Sequence, residues 1–250
     1  MRTPRWDALR YPSVIPIRDH NHTRRTPIVT WTLIAANALI FVWSMAFGAS
    51  HAEAVVMRFG VIPEVLVHGD WQLMRTSGGA VGAVVTPFTS MFLHGGLLHL
   101  GFNMLFLHVF GDNVEDVLGR GRFVGFYSVC GLGAVAGQVL VDTNSMIPMI
   151  GASGAISGVL AGYMILFPHA RIVTLIPIFI FIRFVELPAA VFIILWFGLQ
   201  LVLGYLSLGL LAEAGSGVAW FAHIGGFLAG LVCVKLFYRS PRTRRDRLFR

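Results

Sequence analysis

Charge is scarce along this chain. Asp, Glu, Lys and Arg make up 12% of it, about half the share usual in a soluble domain, which argues against a water-soluble fold. Acidic residues are the rarer sign, 12 against 19 basic. Cysteine is scarcer still. Cys130 and Cys233 are the only two and both lie in apolar stretches, so neither a disulfide framework nor a zinc-ligand pattern follows; they read as small core residues. Low-complexity linkers and convincing internal repeats are also missing, which leaves one compact domain.

Apolar residues fill the chain instead, 56% of it, and they are blocked into six runs: Ile28–Ser50, Pro87–Phe110, Phe123–Val141, Ile147–Phe167, Leu187–Leu211 and Val218–Tyr238. Each has about the 17–25 residues that cross a bilayer core of roughly 30 Å. The one formal charge within them is Lys235, close enough to a run's end to snorkel. These runs predict an all-α polytopic membrane protein, a bundle of six transmembrane helices.

The net charge of +7 raises nucleic acid as a partner, but its distribution favours a membrane topology. Arg2, Arg5, Arg10, Arg18, Arg24 and Arg25 precede the first run, and Lys235 to Arg250 surround and follow the last. Basic flanks of this kind stay on the cytoplasmic side. Both termini inside requires an even number of crossings, as six supplies. The expected organisation is a basic cytoplasmic tail over 1–26, a six-span core over 27–238 and a second basic tail over 239–250. Two alternatives bear on the count. The apolar stretch Ile172–Phe184, broken by Pro177 and Arg183, suits an interfacial or re-entrant segment better than a span. The first run, with Phe47-Gly48-Ala49 near its end, resembles a cleaved signal peptide, but its apolar core is longer than the usual 7–15 or so residues; we read it as an uncleaved anchor.

Polar side chains are costly in a bilayer, so those inside the runs carry the information. The second run holds His94, His99, Asn103 and His108, with His99 and Asn103 four apart on one helix face. The fourth holds Gly151-Ala152-Ser153-Gly154 with Ser157, Gly158 and Gly162 following, and the sixth holds Ala222-His223-Ile224-Gly225-Gly226 with Gly230. Singly, such a His is often a buried residue bonded to a neighbouring helix, a Ser often bonds its own helix, and four-residue glycine spacing reports close packing. Depth sets Ser153 and His223 apart. Counted from the run starts, they sit six and five residues in, each about 8–9 Å deep at 1.5 Å per residue. Glycine-lined helices can bring the serine hydroxyl to the imidazole, whose near-neutral pKa suits a base. The Ser153 amide, His99 and Asn103 are candidate oxyanion donors. No Asp or Glu lies in any run to orient His223, so the expectation is a dyad.

These residues resemble the rhomboid family of intramembrane serine proteases. The resemblance rests on Gly-x-Ser-Gly at Gly151–Gly154, on Ala-His-x-x-Gly-x-x-x-Gly at Ala222, His223, Gly226 and Gly230, on His-x-x-x-Asn at His99 and Asn103 with His94 upstream, and on Gly-x-x-x-Glu at Gly111 and Glu115. The stretch from Ile17-Arg18-Asp19 through Pro27-Ile28-Val29-Thr30 to Asn37 resembles a bacterial subgroup. The resemblance covers nearly the whole chain. It implies Ser153 as nucleophile, His223 as general base and acid, and His99, Asn103 and the Ser153 amide as the oxyanion site. Gly151, Gly154, Gly226, Gly230 and His94 are supporting, and His94, Gly111 and Glu115 are structural. It implies membrane-anchored protein substrates cut in or near a transmembrane helix, no metal or cofactor, the lipid bilayer as surroundings and a bacterial inner membrane as compartment; the charge distribution described above argues against a nucleic-acid partner. Two positions depart from the pattern. Many relatives carry a Tyr where Ser157 stands, its ring supporting the histidine, and many have an adjacent Trp-Arg pair where Trp71 and Arg75 are separated. The alternatives are a catalytically inactive rhomboid-like protein that escorts membrane clients and, on the polar residues of the second run, a channel or transporter.

Overall fold

A computed structural model describes residues 15–69, 80–178, 181–208 and 218–238. The tail positions 1–14 and 239–250, together with Trp71 and Arg75, lie outside the described residues. The chain begins with strand β1 (Ile15–Asp19) and helices α1 (Ile28–Met45), α2 (Ala49–Phe59), α3 (Pro63–His68) and α4 (Ala80–Thr89). A short 3-10 turn (Ser90–Phe92) leads to α5 (Leu97–Leu118), α6 (Arg120–Val141) and α7 (Ser153–Leu166). Strands β2 (Arg171–Ile178) and β3 (Phe181–Pro188) follow, then α8 (Ala189–Ser207) and α9 (Trp220–Phe237).

The fold is mostly helical. The all-α expectation is corrected by one three-stranded antiparallel sheet in the order β1-β2-β3. Its hairpin pairs Arg171 with Pro188 through to Ile178 with Phe181, in the stretch expected to be interfacial or re-entrant. Ile172 and Thr174 face inward, both fully buried, while Arg171 is exposed. That period of two is the signature of a strand, and length and hydropathy do not register it.

Among the described residues, α1, α6, α8 and α9 are each long and apolar enough to cross a membrane. Val84–Phe92 and Leu97–Leu118 qualify only as a pair, bent by 91° at the break between them. The second apolar run is therefore two helices with His94 in the corner. Counted by length and composition, the spans number four, or five with the bent pair. The helix α7 has 14 residues, about 21 Å, short of the ~30 Å core. The fourth run falls short because its first residues are extended: Met149 bridges to Val61, and Pro148 disfavours helix for the residue before it.

Sidedness is that of a membrane protein. On α1 the buried residues are Thr30, Asn37, Phe41 and Ser44, whereas Leu39 and Val42 are largely exposed. Leu140, Val232 and Leu236 likewise point outward. Apolar side chains that would destabilise a soluble surface belong against lipid.

The short helix α7 is the hub. Every residue from Gly154 to Tyr163 is buried, with α5, α6 and α9 packed around it and α8 against one side. Backbone-to-backbone approach is what keeps α7 and α9 together. A Cβ on Gly226 would stand 1.9 Å from the Gly154 carbonyl oxygen, and one on Gly230 would stand 2.4 Å from that of Gly158. Such small-residue contacts replace the hydrophobic driving force that lipid removes.

At the far end of α7, away from Ser153, the sheet and helices are tied by carboxylates. The Tyr163 hydroxyl donates to Asp19 Oδ2 at 2.5 Å and the Asn113 amide donates to the same oxygen at 2.8 Å. Asn21 donates to the Tyr163 oxygen at 2.9 Å. Glu115, fully buried on α5, accepts from the backbone N–H groups of Val29 and Thr30 at 3.0 and 2.7 Å and from the Thr30 hydroxyl at 2.8 Å. These bonds fasten the start of α1, beside which Gly111 leaves room for Thr30.

Candidate active site

Ser153 is the first residue of α7 rather than six residues into a helix. The chain reaches it through Gly151, at φ +124°, a region that glycine enters freely and other residues do not. The Gly151 N–H is held by the Ser90 carbonyl at 2.9 Å. Ala152 precedes the helix with no side-chain cap, so the first-turn N–H groups of α7 lack intrahelical acceptors and present a partial positive charge at the serine.

His223 lies in the first turn of α9, and its Nε2 is 2.8 Å from Ser153 Oγ. The other ring nitrogen, Nδ1, is 2.8 Å from Gln200 Oε1 on α8. An amide oxygen only accepts. Nδ1 therefore carries the proton, and Nε2 presents a lone pair to the Ser153 hydroxyl. The ring is walled by Trp196 on α8, tilted with centroids 6.1 Å apart, and by Trp220, edge-on at 6.1 Å. Ser157 is fully buried and gives its hydroxyl to the Ser153 carbonyl at 2.7 Å, so its bond turns back along its own helix.

The α5 residues face the same point. A Cβ on Gly151 would meet His99 Nε2 at 2.8 Å and Ser153 Oγ at 3.5 Å, so these two groups flank one small space. The Gly95 N–H approaches His99 Nδ1 at 3.4 Å, which leaves Nε2 as the nitrogen bearing hydrogen on that side. One turn along, Asn103 donates to the His99 carbonyl at 2.8 Å, and its buried Oδ1 has no hydrogen-bond partner among the described residues. His94 packs edge-on to His99 at 5.0 Å, and neither of its buried nitrogens is partnered among the described residues. His108 does not join the group; it faces outward against Trp31 at 5.1 Å.

The structure thus brings Ser153, His223, His99 and Asn103 to one end of the bundle, with Gly151, Gly154 and Gly226 allowing the approach. Gly230, one turn further along α9, serves the same packing. Gln200 is the residue the sequence reading missed. It is the one carboxamide in the run Leu187–Leu211, and that was its only signal. No group of three or more His, Cys, Asp or Glu among the described residues is placed to hold a metal.

Comparison with known proteins places the chain. A family model of the Rhomboid domain matches residues 81–240. "Rhomboid protein 1, mitochondrial" of Saccharomyces cerevisiae is 30% identical over 200 residues, covering 73% of this chain and 53% of that protein. "Rhomboid protease GluP" of Bacillus subtilis is 32% identical over 139 residues, 55% of this chain and 24% of that protein. "Rhomboid-type serine protease 2" of Emericella nidulans is 30% identical over 159 residues, 63% of this chain and 28% of that protein. The chain therefore spans from about a quarter to about half the length of these relatives.

Proposed function

The chain belongs to the rhomboid family and is an integral membrane protein, and from that premise we propose that it is an intramembrane serine endopeptidase working through a Ser153–His223 dyad. The observation that supports this reading most strongly is the 2.8 Å contact from Ser153 Oγ to His223 Nε2, made in the tautomer that Gln200 favours. A serine hydroxyl is a weak nucleophile until a base takes its proton. In the proposed reaction, Nε2 accepts that proton as Oγ bonds to a peptide carbonyl carbon. The carbonyl oxygen then carries the charge, facing the first-turn N–H groups of α7, His99 Nε2–H and the Asn103 amide. Collapse of this intermediate breaks the C–N bond, and the imidazolium gives its proton to the departing amine. Water activated by the same imidazole then hydrolyses the acyl-serine. No step calls for a metal or cofactor.

The substrates we infer are membrane-anchored proteins cut in or near a transmembrane segment. The peptide carbonyl must be free of its helix bond before Oγ can reach it, so a locally unstable helix is the required chemistry. We further infer six crossings, with α7 as a short sixth traverse whose Ser153 end is open to water. The basic tails at 1–26 and 239–250 would lie on the cytoplasmic side of the 27–238 core. Arginine clustering at both ends supports that orientation. A bacterial inner membrane remains our proposed compartment, although relatives are named from mitochondria as well.

The test is direct. Purified protein should cleave a helix-destabilised single-span reporter, and a fluorophosphonate should label it at Ser153; Ser153→Ala should lose both, by about 10³-fold or more in rate. Wild type that cleaves no faster than Ser153→Ala across several reporters, and takes no label, removes the protease reading in favour of an escort protein.

A further inference from the structure

A histidine base works only if its ring is held with the correct nitrogen toward the nucleophile, and serine proteases in water use a buried carboxylate for this. Within a bilayer a carboxylate is expensive to bury unless it is paired. The alternative here lies on α8. Gln200 is buried and its amide oxygen stands 2.8 Å from His223 Nδ1, on the ring edge opposite Ser153. The contact is held in register from both sides. Three residues before it, Phe197 stacks on Phe227 with centroids 4.0 Å apart and planes 16° from parallel. Four residues after it, Gly204 lets α8 close onto Ile224 and Trp220. With α8 and α9 fixed at those two points, the Gln200 side chain spans the gap between them.

We infer that Gln200 is the positioning residue of this site, a neutral third member that fixes the tautomer and direction of His223. The inference rests on the protease reading above and sharpens it. An amide dipole orients the imidazole without introducing a second charge when the imidazolium forms. It also accounts for the position of Ser157: the ring is steered by Gln200 and walled by Trp196, so no aromatic group is needed from α7.

Gln200 touches His223 rather than substrate, so its loss should fall on kcat. Gln200→Leu, which removes the acceptor at similar size, should lower kcat by about 10-fold with KM unchanged, the scale of one lost orienting hydrogen bond. Gln200→Glu, which keeps an oxygen in place, should restore most of that loss. A readout independent of turnover is nitrogen NMR of the His223 ring, assigned by difference against His223→Ala and recorded on wild type and on Ser153→Ala. Both should carry hydrogen on Nδ1, and Gln200→Leu should populate the Nε2–H form.

Wild type protonated on Nε2, or Gln200→Leu with unchanged kcat and an unchanged tautomer in a wild type that cleaves and is labelled, would overturn Gln200 alone. A wild type that neither cleaves nor is labelled would overturn the protease reading, and the catalytic sense of the inference with it.

Discussion

At one end of α7, Ser153, His223, Gln200, His99 and Asn103 gather polar groups none of which is a carboxylate. Several polar atoms there go unpartnered among the described residues: Asn103 Oδ1 and both nitrogens of His94. At the other end, Tyr163 and Asn113 converge on Asp19 with Asn21 bonded to the Tyr163 oxygen, and Glu115 accepts three donors from the start of α1. Buried polar groups are normally satisfied, and an unpaired one costs stability. The far end follows that rule. The serine end departs from it: an acceptor, Asn103 Oδ1, and the ring of His94 go without partners among the described residues, beside the groups that the proposed mechanism turns toward the oxyanion. Substitutions at the two ends should therefore differ in kind, with activity failing at the serine end and stability at the carboxylate end.

The largest effect should come from the residue that joins the comparison, Gly226. A Cβ there would lie 1.9 Å from the Gly154 carbonyl oxygen and 2.8 Å from its carbonyl carbon. These are backbone atoms that cannot swing away. Gly226→Ala should push α9 off α7 and break the 2.8 Å Ser153–His223 contact. Reporter cleavage should drop roughly 100-fold or more, with about 1–3 kcal/mol of stability lost to overpacking. Retained fluorophosphonate labelling at the wild-type rate would show that the helices separate without disturbing the pair.

Glu115→Ala should act the other way. It strips three donors, the two on Thr30 buried, of their acceptor, and a hydrogen bond to a charged group contributes about 1.5–3 kcal/mol. Thermal unfolding in detergent should report a loss of roughly 2–4 kcal/mol, while kcat per folded molecule stays within about twofold, since Glu115 makes no contact with the site. A kcat that fell with the stability would mean that the two ends are coupled through α5, and the division drawn here would be wrong.

Much of the serine end could be read from the chain because polar residues are rare inside apolar runs. His99 and Asn103 share a face by spacing alone, and Ser153 and His223 were matched by their distance from the run starts. The structure does place the two side chains 2.8 Å apart, but the depth count that paired them rests on a helix start that it does not have. Hydropathy cannot tell an extended apolar stretch from a helical one, so residues 147–152 were counted as helix although Met149 pairs with Val61. Gln200 was illegible for a different reason. Its partner lies 23 residues on, on another helix, and no periodicity within α8 says which neighbour it faces. The sheet escaped notice likewise: β1 finds β2 across roughly 160 residues, with Ile15 opposite Leu175, and the nearly continuous apolar run of 171–188 carries no alternation that would mark strands. The glycine rows, by contrast, spoke plainly, since nothing but close packing needs them at that spacing.

The smallest effect, and the one that probes the carboxylate end most finely, is a pH dependence. Burial raises the Asp19 carboxyl above its ordinary 3.8, while the Tyr163 hydroxyl bonded to it pulls the value back down. An acid with a raised folded-state value binds its proton more tightly folded than unfolded. Its contribution to stability is therefore full below 3.8 and is lost as pH rises through the folded value. Asp19→Asn should flatten this part of the stability–pH curve. Tyr163→Phe should steepen it, because the restraining hydrogen bond is gone and the folded value climbs further; at neutral pH it should also cost about 0.5–1.5 kcal/mol. Unfolding temperatures measured from mildly acid to neutral pH decide the matter. Parallel curves for wild type and both variants would mean that Asp19 keeps its charge throughout, and that the far end is a network of ions rather than of a carboxyl poised to take up a proton.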